Sequence, residues 1–282
     1  MPTSSHYEVI PGESFESWRD LLTAPGGRDD IRLIPHGEGT TFKATYSHLP
    51  SVKPSSRWQV AQQAEVAFWR GWRQNALYGH VNLPEFWQDV IDKTGGPIPP
   101  GQVLDVGCGP VSVLNFFRDE GTRPLGLDPL AERYTSEGLV EHREHWQPIT
   151  LAAVPAEQIP LPTGSVDHVI CFNVLDHVAD APAVLAEIHR VLKPAGSYRF
   201  YVHTFAPWIK RFLFFDKPHT YHWDHGEFGR LLNTAGFDVS GHLKEPKTFD
   251  LPSGWLSKLR HFPYYVATKV AFTSYFHGTK TA

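Results

Sequence analysis

The pattern of hydrophobic and polar positions changes at a glycine- and proline-rich segment, residues 94–101. After this segment, short apolar runs alternate with stretches of helical periodicity. Helices are predicted at 112–119, from Asp180 onward and at 227–234. The apolar runs predict seven strands, at 102–106, 124–127, 149–154, 166–172, 197–203, 237–242 and 264–272. Strands that alternate with helices predict an α/β fold, an open and mostly parallel sheet with helices on both faces.

The region before this boundary has a different character. Residues 1–56 contain one alternating piece, at 41–46, but otherwise indicate no definite fold, so we treat them as an N-terminal extension. Helical patterns follow at 57–75 and 83–91, and they predict that residues 57–94 form a helical cap over the active site. The sheet domain then occupies residues 95–282.

The helix that begins near Trp58 carries an unusual acidic residue. Trp58, Ala61, Phe68, Trp69 and Trp72 share one face, and Glu65 falls near the centre of that face. A carboxylate among tryptophans is costly unless it is paired. Two interpretations stay open: Glu65 lies at the edge of a wide amphipathic helix, or it faces a pocket together with Trp69 and Trp72.

Composition and charge narrow the class of protein. The 282 residues include 26 Lys and Arg against 30 Asp and Glu, and this negative balance argues against a nucleic-acid partner. Two cysteines, Cys108 and Cys171, are too few for a disulfide-built fold, and we expect buried, reduced thiols. No apolar run reaches about 18 residues and no secretory signal is visible, so we expect a cytoplasmic protein without an integral membrane segment.

The candidate chemistry lies where the first two predicted strands end. The first strand leads into Gly107-Cys108-Gly109 and holds Asp105, and the second ends on Asp128, where a carboxylate can accept both hydroxyl protons of a ribose. A dinucleotide site favours a third glycine, but Ser112 stands in that position. Asp105 would repel a pyrophosphate and attract a cation. The ligand is therefore expected to carry a ribose and a positive group.

Five segments make the chain resemble the class I S-adenosylmethionine-dependent methyltransferases, in the subgroup that acts on small molecules. These segments are 103–110, 126–129, 156–162, 165–177 and 185–194. The resemblance implies a Rossmann-like, seven-stranded, mostly parallel sheet and S-adenosyl-L-methionine as cofactor. Residues 95–282 would form the methyltransferase domain, with a lid-like insertion at 205–224.

The same resemblance implies roles for individual residues in cofactor binding. Gly107, Cys108 and Gly109 would line the methionine part with Asp105 nearby, and Asp128, followed by Pro129, would bind the ribose hydroxyls. Ala156 and Glu157 would flank the adenine, and Asn173 and Val174 would contact the cofactor from the fourth strand. The family often has glycine where Val111 stands and an acid where Pro155 stands, so the adenine contact is the least defined.

Methyl transfer to a hydroxyl also requires a base, and histidine suits neutral pH. The candidate bases are His177, His219 and His222. The aromatic segment 205–224 is either a lid that excludes water from the site or a surface helix packed on the core. A zinc site formed by His219, His222 and His225 is conceivable, but helical geometry separates the three and no cysteine is nearby, so we predict no metal. Further pocket candidates are His203, Trp208 and Trp223.

The acceptor is less clearly encoded. An oxygen on a sugar or other secondary metabolite is the first choice, and a small-molecule amine is the second. A nicotinamide-dependent oxidoreductase is the competing class, because the glycine turn and Asp128 superficially suit it. The basic and aromatic segment 255–269 is compatible with peripheral contact to a lipid-linked substrate, or with a connection and a strand. The sequence predicts no oligomeric state.

Overall fold

The structure, a computed structural model, describes residues 5–11, 15–23, 32–36, 41–46, 56–74, 83–139, 149–215, 219–247 and 269–281. It contains one ten-stranded sheet. The three N-terminal strands are β1 (Ser5–Ile10), β2 (Arg32–His36) and β3 (Thr41–Tyr46). The other seven are β4 (Gly101–Val106), β5 (Thr122–Leu127), β6 (Thr150–Ala152), β7 (Val166–Phe172), β8 (Leu192–Phe205), β9 (Phe237–Pro246) and β10 (Ala271–Lys280).

The seven strands of the predicted domain lie side by side in the order β6-β5-β4-β7-β8-β10-β9. The neighbours from β6 to β8 are parallel, whereas β10 runs antiparallel to both β8 and β9. α-Helices lie between β5 and β6, between β7 and β8 and between β8 and β9, in agreement with the alternating pattern. The fold class is therefore confirmed: a Rossmann-like α/β fold whose central sheet is mostly parallel.

The N-terminal extension enlarges this sheet, which the sequence pattern did not predict. β1 pairs antiparallel with β6, and β3 and β2 follow outward in the order β1-β3-β2. Between β1 and β2, helix α1 (Phe15–Thr23) buries Trp18 completely. The Trp18 indole Nε1 donates to the Arg123 carbonyl oxygen at 3.2 Å, so the extension is anchored to the domain beside β5.

The remaining helices are α2 (Ser56–Gln74), α3 (Leu83–Lys93), α4 (Ala131–Ser136), α5 (Ala181–Val191) and α6 (His225–Thr234). Their ends follow from local chemistry. Asp180 caps α5 by accepting from the Ala183 backbone N–H, and Asp224 and Glu227 form a capping box on α6. None of the helices in the described ranges is long and apolar enough to cross a bilayer.

Two predicted elements differ from the structure. The helix expected at 112–119 is only a short 3₁₀ turn, Val113–Asn115. The Ser112 hydroxyl caps its start by accepting from the Leu114 N–H, and the Phe116 N–H closes it on the Val113 carbonyl oxygen. The last strand is Ala271–Lys280 and not 264–272. Its position follows from β8, which is 14 residues long and pairs with residues 271–279. Residues 264–268 lie outside the described part.

Candidate cofactor cleft

A cleft lies at the carboxyl ends of β4, β5 and β7, where the parallel order of an open sheet favours ligand binding. It holds about 600 Å³, its open mouth included, which is within the range of small-molecule sites. The side chains and turns that line it come from α2, from the residues after four strands and from α4. The lining residues predicted from sequence are Glu65, Gly107, Asp128, Pro129, Ala156, Glu157, Asn173, Val174 and His177.

The floor of the cleft is a turn that only glycine can form. Gly107 has φ +70°, a left-handed conformation that other residues rarely adopt. A Cβ on Gly107 would lie 2.9 Å from the Cβ of Val174 and closer still to its methyl carbons. Asn173, just before Val174, also has a positive φ, +59°. The turns after β4 and β7 therefore meet with no room for a side chain, and strain of this kind clusters at functional sites.

Asp128 provides a buried carboxylate on the cleft wall. It is 7% exposed, and its oxygens accept from the Gly109 N–H at 3.0 Å and the Leu130 N–H at 2.8 Å. Burial raises the pKa of Asp128 to about 7, and the negative charges of Glu65 and Asp105 add to the increase. A positively charged or hydroxyl-bearing ligand would restore the ionised form.

Asp105 lies one layer behind the cleft surface. It is 4% exposed, accepts from the Ser112 hydroxyl at 2.6 Å, and is not a lining residue. Burial raises its pKa to about 7 as well. Cys108 is also buried behind the turn, against Gly126. The structure thus gives Asp128 direct access to a ligand, whereas Asp105 supports the turn through Ser112.

Helix α2 covers the cleft and presents its acidic residue to it. The Trp69 indole Nε1 donates to Glu65 Oε1 at 2.7 Å, so the carboxylate among tryptophans is paired. Trp69 also packs near Gly109, while Trp58 lines the cleft. The side chain of Trp72 lies outside the described part. Of the two interpretations, the structure favours Glu65 as a residue that faces the cleft.

Three buried polar atoms of residues that line the cleft have no hydrogen-bond partner: Gln62 Oε1, Asn173 Oδ1 and the Tyr134 hydroxyl. Burial also raises the pKa of Tyr134. Unsatisfied buried polar atoms at a cleft are typical of groups that bind a ligand. Glu157 differs, because its Oε1 already accepts from the Ala179 and Asp180 backbone N–H groups at 2.8 and 3.1 Å. It therefore holds the loop that leads into α5.

The candidate bases His177 and His219 come together at the rim of the cleft. Their ring centroids are 4.6 Å apart, and His177 lines the cleft. Asp176 lies between them: its Oδ2 is 3.8 Å from His177 Nε2 and 3.9 Å from His219 Nε2. Asp176 is 1% exposed, and neither carboxylate oxygen has a hydrogen-bond partner. His222 lies next in the row, 6.2 Å from His219 between ring centroids.

His203 is a poor candidate for proton transfer at neutral pH. It is buried, and the Lys247 ammonium donates to its Nε2 at 3.0 Å. Burial first and the Lys247 charge second lower the pKa of His203 to about 3, so its imidazole is neutral and weakly basic.

In the segment 205–224, the structure describes residues 205–215 and 219–224. None of these residues lines the cleft, so they do not form a lid over it. Trp208 is 58% exposed, and Trp223 stacks on Tyr221 and packs against the core residue Phe228. The structure therefore places both tryptophans away from the predicted pocket. His225 binds Ser274 and His242, so the set His219, His222 and His225 is not assembled as a metal site.

Sequence reasoning missed several residues of the site. Tyr134 enters from α4, and Gln62 enters from α2 one turn before Glu65. Asp176 directly precedes His177 after a strand end, and this acid–histidine pair is the signal that would have found it. No comparable signal marks Tyr134.

Comparison with known proteins agrees with this geometry. A family profile described as a methyltransferase domain matches residues 104–200. A probable S-adenosylmethionine-dependent methyltransferase of Mycolicibacterium smegmatis is 31% identical over 144 residues, which cover 50% of this chain and 53% of that protein. A human thiol S-methyltransferase is 34% identical over 109 residues, covering 38% and 44%. The chain thus spans about half the length of these curated relatives.

Among solved structures, a Haemonchus contortus phosphoethanolamine N-methyltransferase in complex with S-adenosylhomocysteine superposes with a TM-score of 0.57. Its sequence is 17% identical, and the match covers 99% of this chain and 69% of that one, so it supports the fold alone. The profile match, the relatives and the strand order agree. Together they support a class I S-adenosylmethionine-dependent methyltransferase domain, and the cofactor of such domains is S-adenosyl-L-methionine.

Proposed function

We propose that this chain transfers a methyl group from S-adenosyl-L-methionine to a hydroxyl oxygen of a small molecule, with a histidine as base. One observation carries the proposal. The lining of the cleft, within the described residues, contains three carboxylates, Glu65, Asp128 and Glu157, and no lysine or arginine. A cleft of this charge favours a cationic sulfonium and ammonium ligand and disfavours a pyrophosphate.

The residues present fit the cofactor. Asp128 would bind the ribose hydroxyls. Gly107 has no side chain, so the methionine part could approach the backbone closely there. Asn173 Oδ1 and the Tyr134 hydroxyl offer unused hydrogen-bonding capacity on the same wall. When bound, the sulfonium supplies an electrophilic methyl group with a neutral thioether as leaving group. The protein's task is then to orient the acceptor, exclude water and remove a proton.

The nicotinamide alternative loses support on two grounds. The dinucleotide-binding order of a doubly wound sheet is 3-2-1-4-5-6, whereas here the antiparallel β10 is inserted between β8 and β9. The acidic cleft also lacks a described cation that could pair with a pyrophosphate. Both features favour methyl transfer.

The acceptor proposal depends on the histidine row. His177 lines the cleft three residues after Val174, and His219 and His222 extend the row outward. An imidazole at this position suits a hydroxyl, which must lose its proton during transfer. The similar human thiol S-methyltransferase makes a thiol the second acceptor to test, followed by an amine. A lipid-linked acceptor stays a further proposal, and residues 255–268 of the segment on which it depended lie outside the described part.

A ligand-binding assay separates these classes. Thermal unfolding would be followed with S-adenosylmethionine, S-adenosylhomocysteine or NAD, since a ligand at 100 times its Kd adds about 2.7 kcal/mol of stability. We expect stabilisation by the first two ligands. Stabilisation by NAD alone would overturn the proposal. A panel of sugar alcohols, phenols, thiols and amines with labelled cofactor then tests the acceptor class, and turnover of amines alone would contradict O-methylation.

A further inference from the structure

We propose that Asp176, His177 and His219 bind one divalent transition-metal ion, with zinc as the reference ion, at the rim of the cleft. The site would use one carboxylate oxygen and the two imidazole Nε2 atoms. One potential ligand atom from each residue lies within 4.8 Å of the others. The family assignment does not require a metal at this place.

The state of the Asp176 carboxylate favours a bound cation. The residue is 1% exposed, and neither of its oxygens has a hydrogen-bond partner. Its backbone carbonyl, in contrast, accepts from the Thr220 and Tyr221 N–H groups at 2.6 and 3.3 Å. A buried carboxylate without hydrogen bonds is costly, and such groups are normally compensated by a cation. The backbone contacts also bring the segment that holds His219 to Asp176.

The distances fit an ion better than direct hydrogen bonds. At 3.8 and 3.9 Å, the two Nε2 atoms are too far from Asp176 Oδ2 for hydrogen bonds, which end near 3.2 Å. Ligands of a tetrahedral zinc ion at 2.0–2.1 Å from the metal are roughly 3.3 Å apart. An inward movement of about 0.5 Å therefore brings the three atoms to coordination distance.

The ligand types select the class of ion. Two imidazoles with one carboxylate suit zinc and neighbouring first-row metals, whereas Mg²⁺ and Ca²⁺ prefer oxygen ligands throughout. Three protein ligands leave a fourth position for water or another molecule. Because His177 also lines the cleft, that position would lie at the rim of the cleft.

Such an ion would change how the acceptor is activated. A hydroxyl or thiol bound to a divalent metal releases its proton more readily, so the ion would perform the task that the proposed function gives to a free imidazole. This step rests on the proposed function, whereas metal binding itself does not.

The test is a metal titration of the full-length, metal-free protein. Zinc binding would be followed by calorimetry and cobalt binding by visible absorption, and neither readout depends on activity. The wild type should bind one equivalent at this site. Asp176→Asn and His219→Gln should each lose affinity by at least the roughly 10- to 100-fold that outer-shell substitutions cost. His225→Gln is the matched control, because its ring already binds Ser274 and His242, and it should keep the wild-type affinity.

The outcomes discriminate clearly. Equal zinc affinity in the wild type, Asp176→Asn and His219→Gln would overturn the proposal, as would the absence of binding to the wild type. Asp176 is buried, so Asp176→Asn could unfold the protein. The side chain of His219 is 25% exposed, so His219→Gln provides a second test of the site in that case. S-adenosylmethionine binding is measured on the same metal-free protein. Cofactor binding without zinc binding would contradict only the metal site. Zinc binding without cofactor binding would contradict only the proposed function.

Discussion

The substitution Asp128→Asn should stabilise the ligand-free protein at alkaline pH while it weakens cofactor binding. The pKa of Asp128 is raised from 3.8 to about 7 in the folded chain, mainly by burial. Between these two values, the folded protein holds a proton that the unfolded chain has released. Raising the pH through this window therefore destabilises the folded state, which is opposite in sign to the effect of a carboxylate in a salt bridge.

The structure sets the magnitude. A shift of about three pKa units corresponds to about 4 kcal/mol of destabilisation once the pH exceeds 7, and about 3 kcal/mol of it develops between pH 5 and pH 8. Asparagine does not ionise, so it avoids this penalty. It can accept from only one of the Gly109 and Leu130 N–H groups, which costs about 1–3 kcal/mol at every pH. The stability difference between variant and wild type should therefore shift by about 3 kcal/mol in favour of the variant from pH 5 to pH 8.

The assay is denaturant unfolding of both proteins at pH 5, 6.5 and 8 without ligand. Asp119→Asn, at an exposed position outside the cleft, serves as the surface control. The cofactor affinity of Asp128→Asn should fall by roughly 10- to 100-fold, because a charged hydrogen bond is lost. A stability difference that is independent of pH, or that moves against the variant as the pH rises, would refute the argument.

Two further substitutions test the cleft from its floor and its cover. Gly107→Ala should lower the unfolding midpoint and the cofactor affinity more than Gly164→Ala does. Both glycines have φ near +65° to +70°, but a Cβ at 107 would meet Val174, whereas a Cβ at 164 would meet nothing within 4 Å. Equal losses in the two variants would show that the conformational penalty alone matters. Glu65→Gln keeps a hydrogen-bond acceptor for the Trp69 indole but removes a negative charge. The cofactor affinity should therefore fall by about 3- to 10-fold with little change in stability. Unchanged affinity for both cofactor and methyl acceptor would show that Glu65 is not part of the site.

The central sheet and the cofactor side of the cleft were predictable because they depend on local signals. Buried parallel strands appear as short apolar runs, and the residues that follow them must lie at one edge of the sheet. Gly107, Asp128 and Asn173 follow three such runs, and the structure brings all three to the cleft.

The rest of the candidate site was less predictable because it depends on tertiary packing. An aromatic-rich segment does not reveal which face is buried, and Trp208 proved exposed while Trp223 joined the core. Tyr134 reaches the cleft from α4 without any pattern of its own. Of the three N-terminal strands, only β3 coincides with a noted pattern, the alternating piece at 41–46. β1 and β2 were missed because their pairing with β6 and β3 depends on the tertiary fold, and short strands of this kind leave only a weak periodic signal.

The two cysteines provide the protein with natural probes of its own opening. Cys108 and Cys171 are 7% and 1% exposed, and burial raises the pKa of both thiols. Thiolates are the reactive form, so alkylating reagents should modify either residue only while its surroundings are transiently open. Cys108 lies in the turn behind the cleft and Cys171 within β7, so their separate labelling rates would distinguish local breathing of the turn from disruption of the whole sheet. A ligand that slows labelling of Cys108 alone would thereby reveal where it binds.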